Sequence, residues 1–293
     1  MTALRRIYEL FPPRMRERIK LVLGAHGHGR SGLDGLKARD HARGKKRLDR
    51  VALALASTMR DAGVTSLRGL SCLEFGAGYV PSEVLVFHLL GARRVMATDY
   101  NAIAQLPQLA VAARAANRAD TLAILAPFAD GVDIEQRLDE ILKGDTKNFI
   151  AYAAPHDMST APILPAFDFI HSVSVFEHLP VPRVPPILDN LARSLAAGGR
   201  MISEIDLRDH RDLDNAPLAF LAPGNDYDPV RDADLRGNRL MRGEWLALFG
   251  AQPDLATRPI YEKNMERRFL PAGFSGNGDD ALVSWLGLLS VRT

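Results

Sequence analysis

A doubly wound α/β fold, its sheet mostly parallel and preceded by a helical N-terminal extension, is what this 293-residue sequence predicts. Three observations carry that expectation. From Leu70 onward short apolar runs alternate with amphipathic stretches, the pattern of a parallel sheet covered on both faces. The first run, ending at Phe75, passes directly into a glycine turn at Gly76 and Gly78 and then into a helical pattern. The second, over 94–98, ends on the carboxylate of Asp99, 23 residues beyond Gly76.

Each element follows from local pattern. Leu4, Ile7, Leu10 and Phe11, then Met15, Ile19, Val22 and Leu23, recur at helical spacing, and Pro12 and Pro13 divide them into two short amphipathic helices. Residues 24–35 hold five glycines among polar residues and read as a mobile loop, after which 37–62 returns to a helical pattern through Val51, Leu53, Leu55 and Met59. Residues 1–66 are thus expected to form a helical N-terminal segment, and 67–293 the α/β domain. Strands are expected at 70–75, 94–98, 149–153, 167–173 and 200–205, with helices at 81–90, 103–117, 134–142 and 184–195. The last helix is expected to stop at Gly198-Gly199. A loop rich in Asp, Pro, Gly and Asn occupies about 207–240, followed by a helix through Trp245 and Leu248 and two closing strands at 255–262 and 281–292.

Composition excludes several classes. With 47% hydrophobic and 25% charged residues the chain is ordinary globular protein, neither disordered nor collagen-like. Cys72 is its one cysteine, which excludes a disulfide scaffold and fits a reducing compartment. No apolar run approaches the roughly 20 residues of a membrane span, and the start MTALRRIYELFPPRMRER has arginines where a signal peptide needs its apolar region. A cytoplasmic protein is expected. The net charge of +2 conceals an asymmetry: residues 1–60 carry 15 basic and five acidic side chains, net +10, and the rest carries 22 and 30, net −8. Such a basic arm suits nucleic acid, an anionic surface, an acidic carrier or an anionic substrate, and equally a solvated helix face.

The chemistry concentrates at the strand ends. Glycines 76 and 78 let the chain turn sharply and approach a ligand beside a helix N-terminus. A dinucleotide fingerprint would place a third glycine where Pro81 stands, and Glu74, two residues before Gly76, would repel a pyrophosphate while suiting a cationic amino group. Asp99 at the tip of a second strand suits both hydroxyls of a ribose, or the cap of a following helix. Further on come Tyr152-Ala-Ala-Pro-His-Asp157-Met158, Phe167-Asp-Phe-Ile-His-Ser-Val-Ser-Val-Phe-Glu-His178-Leu-Pro and Leu195-Ala-Ala-Gly-Gly-Arg-Met-Ile202. Asp206 and His210 follow the fifth strand. His26 and His28 lie on a glycine loop with no third ligand nearby, an arrangement that is more often solvent-exposed than metal-binding.

In order and spacing these segments resemble the class I S-adenosylmethionine-dependent methyltransferases, of bacterial small-molecule type, over about residues 70–206. The resemblance implies a Rossmann-like, seven-stranded sheet with its last strand antiparallel and S-adenosylmethionine bound over the strand ends. It implies that Glu74 and the backbone of Gly76, Ala77 and Gly78 hold the methionine part, that Asp99, with Tyr100 beside it, holds the ribose, that Asp157 meets the adenine amino group with Met158 against the ring, and that Ser172 lies near the methyl. Val80-Pro81 departs from members that carry another glycine there.

Acceptors in this fold bind along the edge where His178, Asp206 and His210 are expected, and a histidine there suits a general base. Some ubiquinone-pathway relatives carry E-x-x-E-H with a divalent metal; here Ser174 takes the first position, so no metal is expected. The expected function is therefore methyl transfer from S-adenosylmethionine to a small-molecule or carbohydrate-like acceptor, first to oxygen and second to nitrogen, under a lid formed by the N-terminal segment and the 207–240 loop. An intramolecular displacement releasing methylthioadenosine would need the same cofactor grip. A nucleic-acid reading is opposed by the scarcity of aromatics in the basic arm and by Ser172-Val-Ser-Val in place of N-P-P-[YF]. Residues 218–221 and the Trp245 region suit an apolar acceptor pocket or a homodimer face.

Overall fold

The structure, a computed structural model, describes residues 30–143, 149–228, 230 and 232–293. The two helices expected within 1–23, and His26 and His28, lie outside the described residues. Helices α1 (Arg30–Arg43) and α2 (Leu48–Ala62) precede β1 (Ser71–Phe75), α3 (Glu83–Leu89), β2 (Arg94–Thr98), α4 (Gln108–Ala115), α5 (Arg118–Leu125), α6 (Ile134–Leu142) and β3 (Ile150–Ala153). Then follow β4 (Phe167–Val173), α7 (Val184–Ser194), β5 (Leu195–Asp206), α8 (Ala233–Arg236), α9 (Arg242–Gly250), β6 (Leu255–Asn264), α10 (Gly278–Ala281) and β7 (Val283–Arg292).

The strands form one seven-stranded sheet in the order β3-β2-β1-β4-β5-β7-β6. Only β7 runs antiparallel to its neighbours β5 and β6, so the sheet has the topology that the family resemblance implies. Alternation along each strand sends side chains to two separate cores. Cys72 and Phe169 join α2, α3 and α4 on one face, while Leu73, Phe75, Ile170 and Met201 join α7 and α9 on the other. Helix α2 buries Leu48, Val51, Ala52, Leu55 and Met59 in the first core, at a hydrophobic gain of roughly 1.5–3 kcal/mol for each large side chain. Cys72 belongs to the core too, and burial pushes its thiol pKa well up.

Several boundaries differ from expectation for local reasons. Residues 30–35, expected in a loop, begin α1. The expected helix over 103–117 starts only at Gln108, because Asp99 and Asn101 close a turn first, and Asn117 ends it by capping an unforeseen helix, α5, with its side chain accepting from the Asp120 N–H at 3.3 Å. Gly198-Gly199 do not stop α7. Leu195 is already extended, and the two glycines lie inside β5 beside the register shift between Phe167 and Phe169. The side chains expected at an apolar pocket or dimer face are buried within the chain itself. Leu218, Phe220 and Leu221 are buried together, and Trp245 is buried against Phe176 and Phe249.

Candidate active site

The tips of β1, β2 and β3 are knitted together by backbone hydrogen bonds. Gly76 and Ala77 donate their N–H groups to the Thr98 carbonyl at 3.0 and 2.9 Å, and His156 donates to the Asp99 carbonyl at 2.9 Å. Gly78 donates to Asp99 Oδ2 and Asn101 to Asp99 Oδ1, both at 2.8 Å. Gly76 has to be glycine: its φ is +84°, and a Cβ there would lie 2.1 Å from Val175 Cγ2. The turn is covered by α1, where Lys37 Nζ reaches the Tyr79 hydroxyl at 3.3 Å and the His41 ring packs edge-on to Tyr79 at 5.8 Å.

A cavity of about 830 Å³ opens over these tips. Gly76, Ala77, Gly78, Asp99, Tyr100, Asp157, Met158 and His178 all line it. Asp157 accepts from the Ser159 N–H and hydroxyl at 2.9 and 2.7 Å and from Arg183 Nη2 at 2.5 Å, and these donors, the Ser159 hydroxyl first, hold its carboxyl below the usual range. The same guanidinium lies 5.0 Å from the centre of the exposed Tyr100 ring. Met158 is buried beneath them. The basic segment contributes Lys45, Lys46 and Arg50 to the cavity wall.

Four of the expected residues stand elsewhere. Glu74 shares the face of Cys72, where its Oε2 accepts from the Val84 N–H at 3.1 Å and Lys46 Nζ approaches to 4.0 Å. Burial and the neighbouring Glu83 push its pKa well up. Glu83 is brought down to about 2 by Lys46, which outweighs burial and holds it at 2.7 Å. Ser172 faces the opposite core with Ser203, and neither hydroxyl has a hydrogen-bond partner among the described residues. It is therefore not at the cavity. Asp206 is occupied by Arg208, at 2.8 Å to Oδ1 and 2.7 Å to Oδ2, which holds its pKa down against burial. His210 packs against His178 with ring centres 4.8 Å apart. Burial and then His210 lower the pKa of His178. Glu177 precedes His178 in the same turn, and burial and the charge of Asp206 push its pKa up to about 8.

Sequence reading missed a polar chain on the cavity wall. Trp285 Nε1 donates to the Tyr261 hydroxyl at 2.8 Å, that hydroxyl donates to Glu204 Oε2, and Glu204 Oε1 pairs with His171 Nε2 at 2.9 Å. The His171 bond and charge outweigh burial and lower the pKa of Glu204. An ionised carboxylate only accepts, so His171 Nε2 carries a hydrogen toward Glu204; its Nδ1 is buried without a partner among the described residues and has a lone pair only in the neutral imidazole. His171, Glu204 and Trp285 line the cavity. The clue was the period of two, since Phe169, His171 and Val173 share a face and Val173 pairs with Glu204.

No family model matches the chain, and no curated protein matches it. Solved structures do. Magnesium protoporphyrin IX methyltransferase (ChlM) from Synechocystis PCC 6803 with bound SAH is similar over 84% of this chain and 83% of its own, at 14% identity and a TM-score of 0.45. An S-adenosylmethionine-dependent methyltransferase from Mesorhizobium loti is similar over 84% and 98%, at 13% identity and a TM-score of 0.45. The N-methyltransferase NodS from Bradyrhizobium japonicum WM9, in complex with S-adenosyl-L-homocysteine, is similar over 84% and 87%, at 13% identity and a TM-score of 0.40. No described helix is long and apolar enough to cross a membrane.

Proposed function

With the Rossmann-like methyltransferase fold as its frame, we propose that this chain is an S-adenosylmethionine-dependent methyltransferase that methylates an oxygen of a small-molecule acceptor. One observation carries the reading: the glycine turn, Asp99 at the tip of β2 and Asp157-Met158 beyond β3 converge on one cavity. The cavity fits the cofactor. Asp99 accepts one backbone N–H at each oxygen and keeps lone-pair capacity for ribose hydroxyls, and at Gly78 no described atom lies within 4 Å of where a Cβ would stand. Met158 offers an apolar surface to a ring and Asp157 an acceptor to an exocyclic amine. The cofactor, when bound, supplies an electrophilic methyl on a sulfonium.

His171 is the base in this reading. With its imidazole neutral, His171 would take the acceptor's hydroxyl proton at Nδ1, and Glu204 would steady the imidazolium so formed; the bound sulfonium would supply the methyl and would leave as the thioether S-adenosylhomocysteine. A positioned base of this kind contributes roughly 10²- to 10⁴-fold. Helices α1 and α2 contribute His41, Arg50 and Leu55 to the cavity wall, where they would shield the reaction from water.

The test is calorimetric binding of S-adenosylmethionine and S-adenosylhomocysteine to the wild type and to Asp99→Ala. Binding that the variant loses supports the reading; a folded wild type that binds neither overturns it. Methylthioadenosine in the reaction mixture would replace methyl transfer by intramolecular displacement. Given an acceptor, His171→Asn is expected to lower kcat roughly 10²- to 10⁴-fold with little change in S-adenosylhomocysteine affinity.

A further inference from the structure

Beside the cavity stands a cluster with the chemistry of metal ligands. Glu177 and His178 belong to the turn Phe176–His178 after β4, and His210 comes from the segment after β5, its N–H bonded to the Arg236 carbonyl at 3.1 Å. One ligand atom from each of the three lies within 4.8 Å of the other two. Glu177 is 2% exposed, and neither of its carboxylate oxygens has a hydrogen-bond partner among the described residues. A carboxylate taken from water without donors is costly, so this one requires a proton or a cation. Arg208 does not answer that need, being committed to both oxygens of Asp206.

The two histidines are set for ligation. His178 Nδ1 lies 2.9 Å from the Asp234 carbonyl, which only accepts, so Nδ1 carries the hydrogen and Nε2 keeps a lone pair. That outer contact is the usual means of orienting a ligating imidazole. His210 Nε2 is buried without a hydrogen-bond partner among the described residues, 3.5 Å from Asp206 Oδ2.

We infer that Glu177, His178 and His210 hold a divalent first-row transition ion, zinc or a borderline neighbour such as cobalt, with an open coordination position toward the cavity that His178 lines. Two imidazoles and one carboxylate suit such an ion, whereas magnesium and calcium prefer oxygen throughout. Ligand atoms about 2.0–2.1 Å from zinc stand roughly 3.4 Å apart, so binding closes the separations, now within 4.8 Å, by no more than about 1.4 Å, which moves each side chain inward by under about 1 Å. On the methyltransferase reading, on which only this role rests, the open position receives the acceptor oxygen and makes its hydroxyl more acidic.

The experiment uses the full chain, stripped with a chelator and titrated with cobalt(II) chloride without cofactor, followed by visible absorption and calorimetry. One ion per chain, with ligand-field bands abolished by zinc chloride, is the expected result. Glu177→Gln and His210→Gln are each expected to weaken binding by at least roughly 10- to 100-fold. The double variant His26→Ala/His28→Ala is expected to keep the full stoichiometry. Circular dichroism checks each fold, and if Glu177→Gln does not fold, the half-buried His210→Gln carries the test. The inference is overturned if the wild type shows no saturable binding, if His210→Gln binds as the wild type does, or if the His26/His28 variant loses the ion. S-adenosylhomocysteine binding, measured separately, reports on the methyltransferase reading and leaves the ion stoichiometry untouched.

Discussion

Gly78 donates its backbone N–H to Asp99 Oδ2 at 2.8 Å, so one carboxylate both shapes the glycine turn and faces the cavity. These two roles separate in mutants. Asp99→Asn keeps an oxygen for one backbone donor but turns its NH2 toward the other and loses the charge, so it is expected to fold with a lowered melting temperature, at a cost of about 1–3 kcal/mol. Its S-adenosylhomocysteine affinity should fall roughly 10- to 150-fold, the equivalent of losing about 1.5–3 kcal/mol of charge-assisted hydrogen bonding. Calorimetry checks this. An Asn variant that binds like the wild type would remove Asp99 from the ribose.

The two glycines of the turn should differ in sensitivity. Both have positive φ, +84° at Gly76 and +57° at Gly78, which costs a side chain roughly 1–2 kcal/mol. Gly76 alone is also pressed against Val175, adding about 1–3 kcal/mol of overpacking. Gly76→Ala is therefore expected to lose about 2–5 kcal/mol and Gly78→Ala about 1–2 kcal/mol. Urea unfolding midpoints report the contrast, and equal losses would contradict it.

Stability should depend on pH through Glu74 and Glu83 with opposite signs. Glu74 has its folded pKa raised by burial and by Glu83, so its contribution is complete below about pH 4.5, its unfolded value, and is lost as pH rises toward the folded one. Glu83, brought down to about 2 by Lys46, contributes above about pH 4.5 and loses that contribution as pH falls toward 2. Glu74→Gln keeps an acceptor for the Val84 N–H and removes the first dependence. Its stability relative to the wild type should climb as pH rises from 5 to 8, read from melting temperatures across that range; a constant difference would refute the assignment.

What the sequence made legible was periodicity and strand ends. The bounds of β2, β4 and α6 agree with their patterns, and Asp99, Asp157 and Met158 reach the cavity as their places at strand tips require. What it concealed was which face a strand residue takes. Glu74 was read from its nearness to Gly76, yet alternation sets it with Cys72 toward Lys46 and Glu83, which arrive from distant segments. Ser172 was read from its place near the end of β4, yet its neighbour His171 holds the cavity side. Glu177, His178 and His210 join only because a loop of irregular backbone folds back over the β4 end, and no local pattern encodes that return.

The return itself rests on a buried ion pair, Arg236 Nη2 to Asp209 Oδ2 at 2.6 Å, with Asp209 fully buried and adjacent to His210. Removing one partner leaves a buried charge unpaired, which typically costs about 3–5 kcal/mol, whereas replacing both with apolar residues of similar size is often neutral. Arg236→Met should therefore be strongly destabilising, and Arg236→Met/Asp209→Leu should recover most of the loss, minus the Arg211 N–H bond to Asp209 at 3.0 Å. Because Asp209 directly precedes His210, stranding its carboxylate should also displace His210, and the single variant should weaken cobalt binding as well. Denaturant unfolding of both variants, with a cobalt titration of each, measures the two effects. A single variant as stable as the wild type would mean that the segment after β5 is held by its other contacts, such as Asn238 Nδ2 to the Phe176 and Leu179 carbonyls at 2.9 Å.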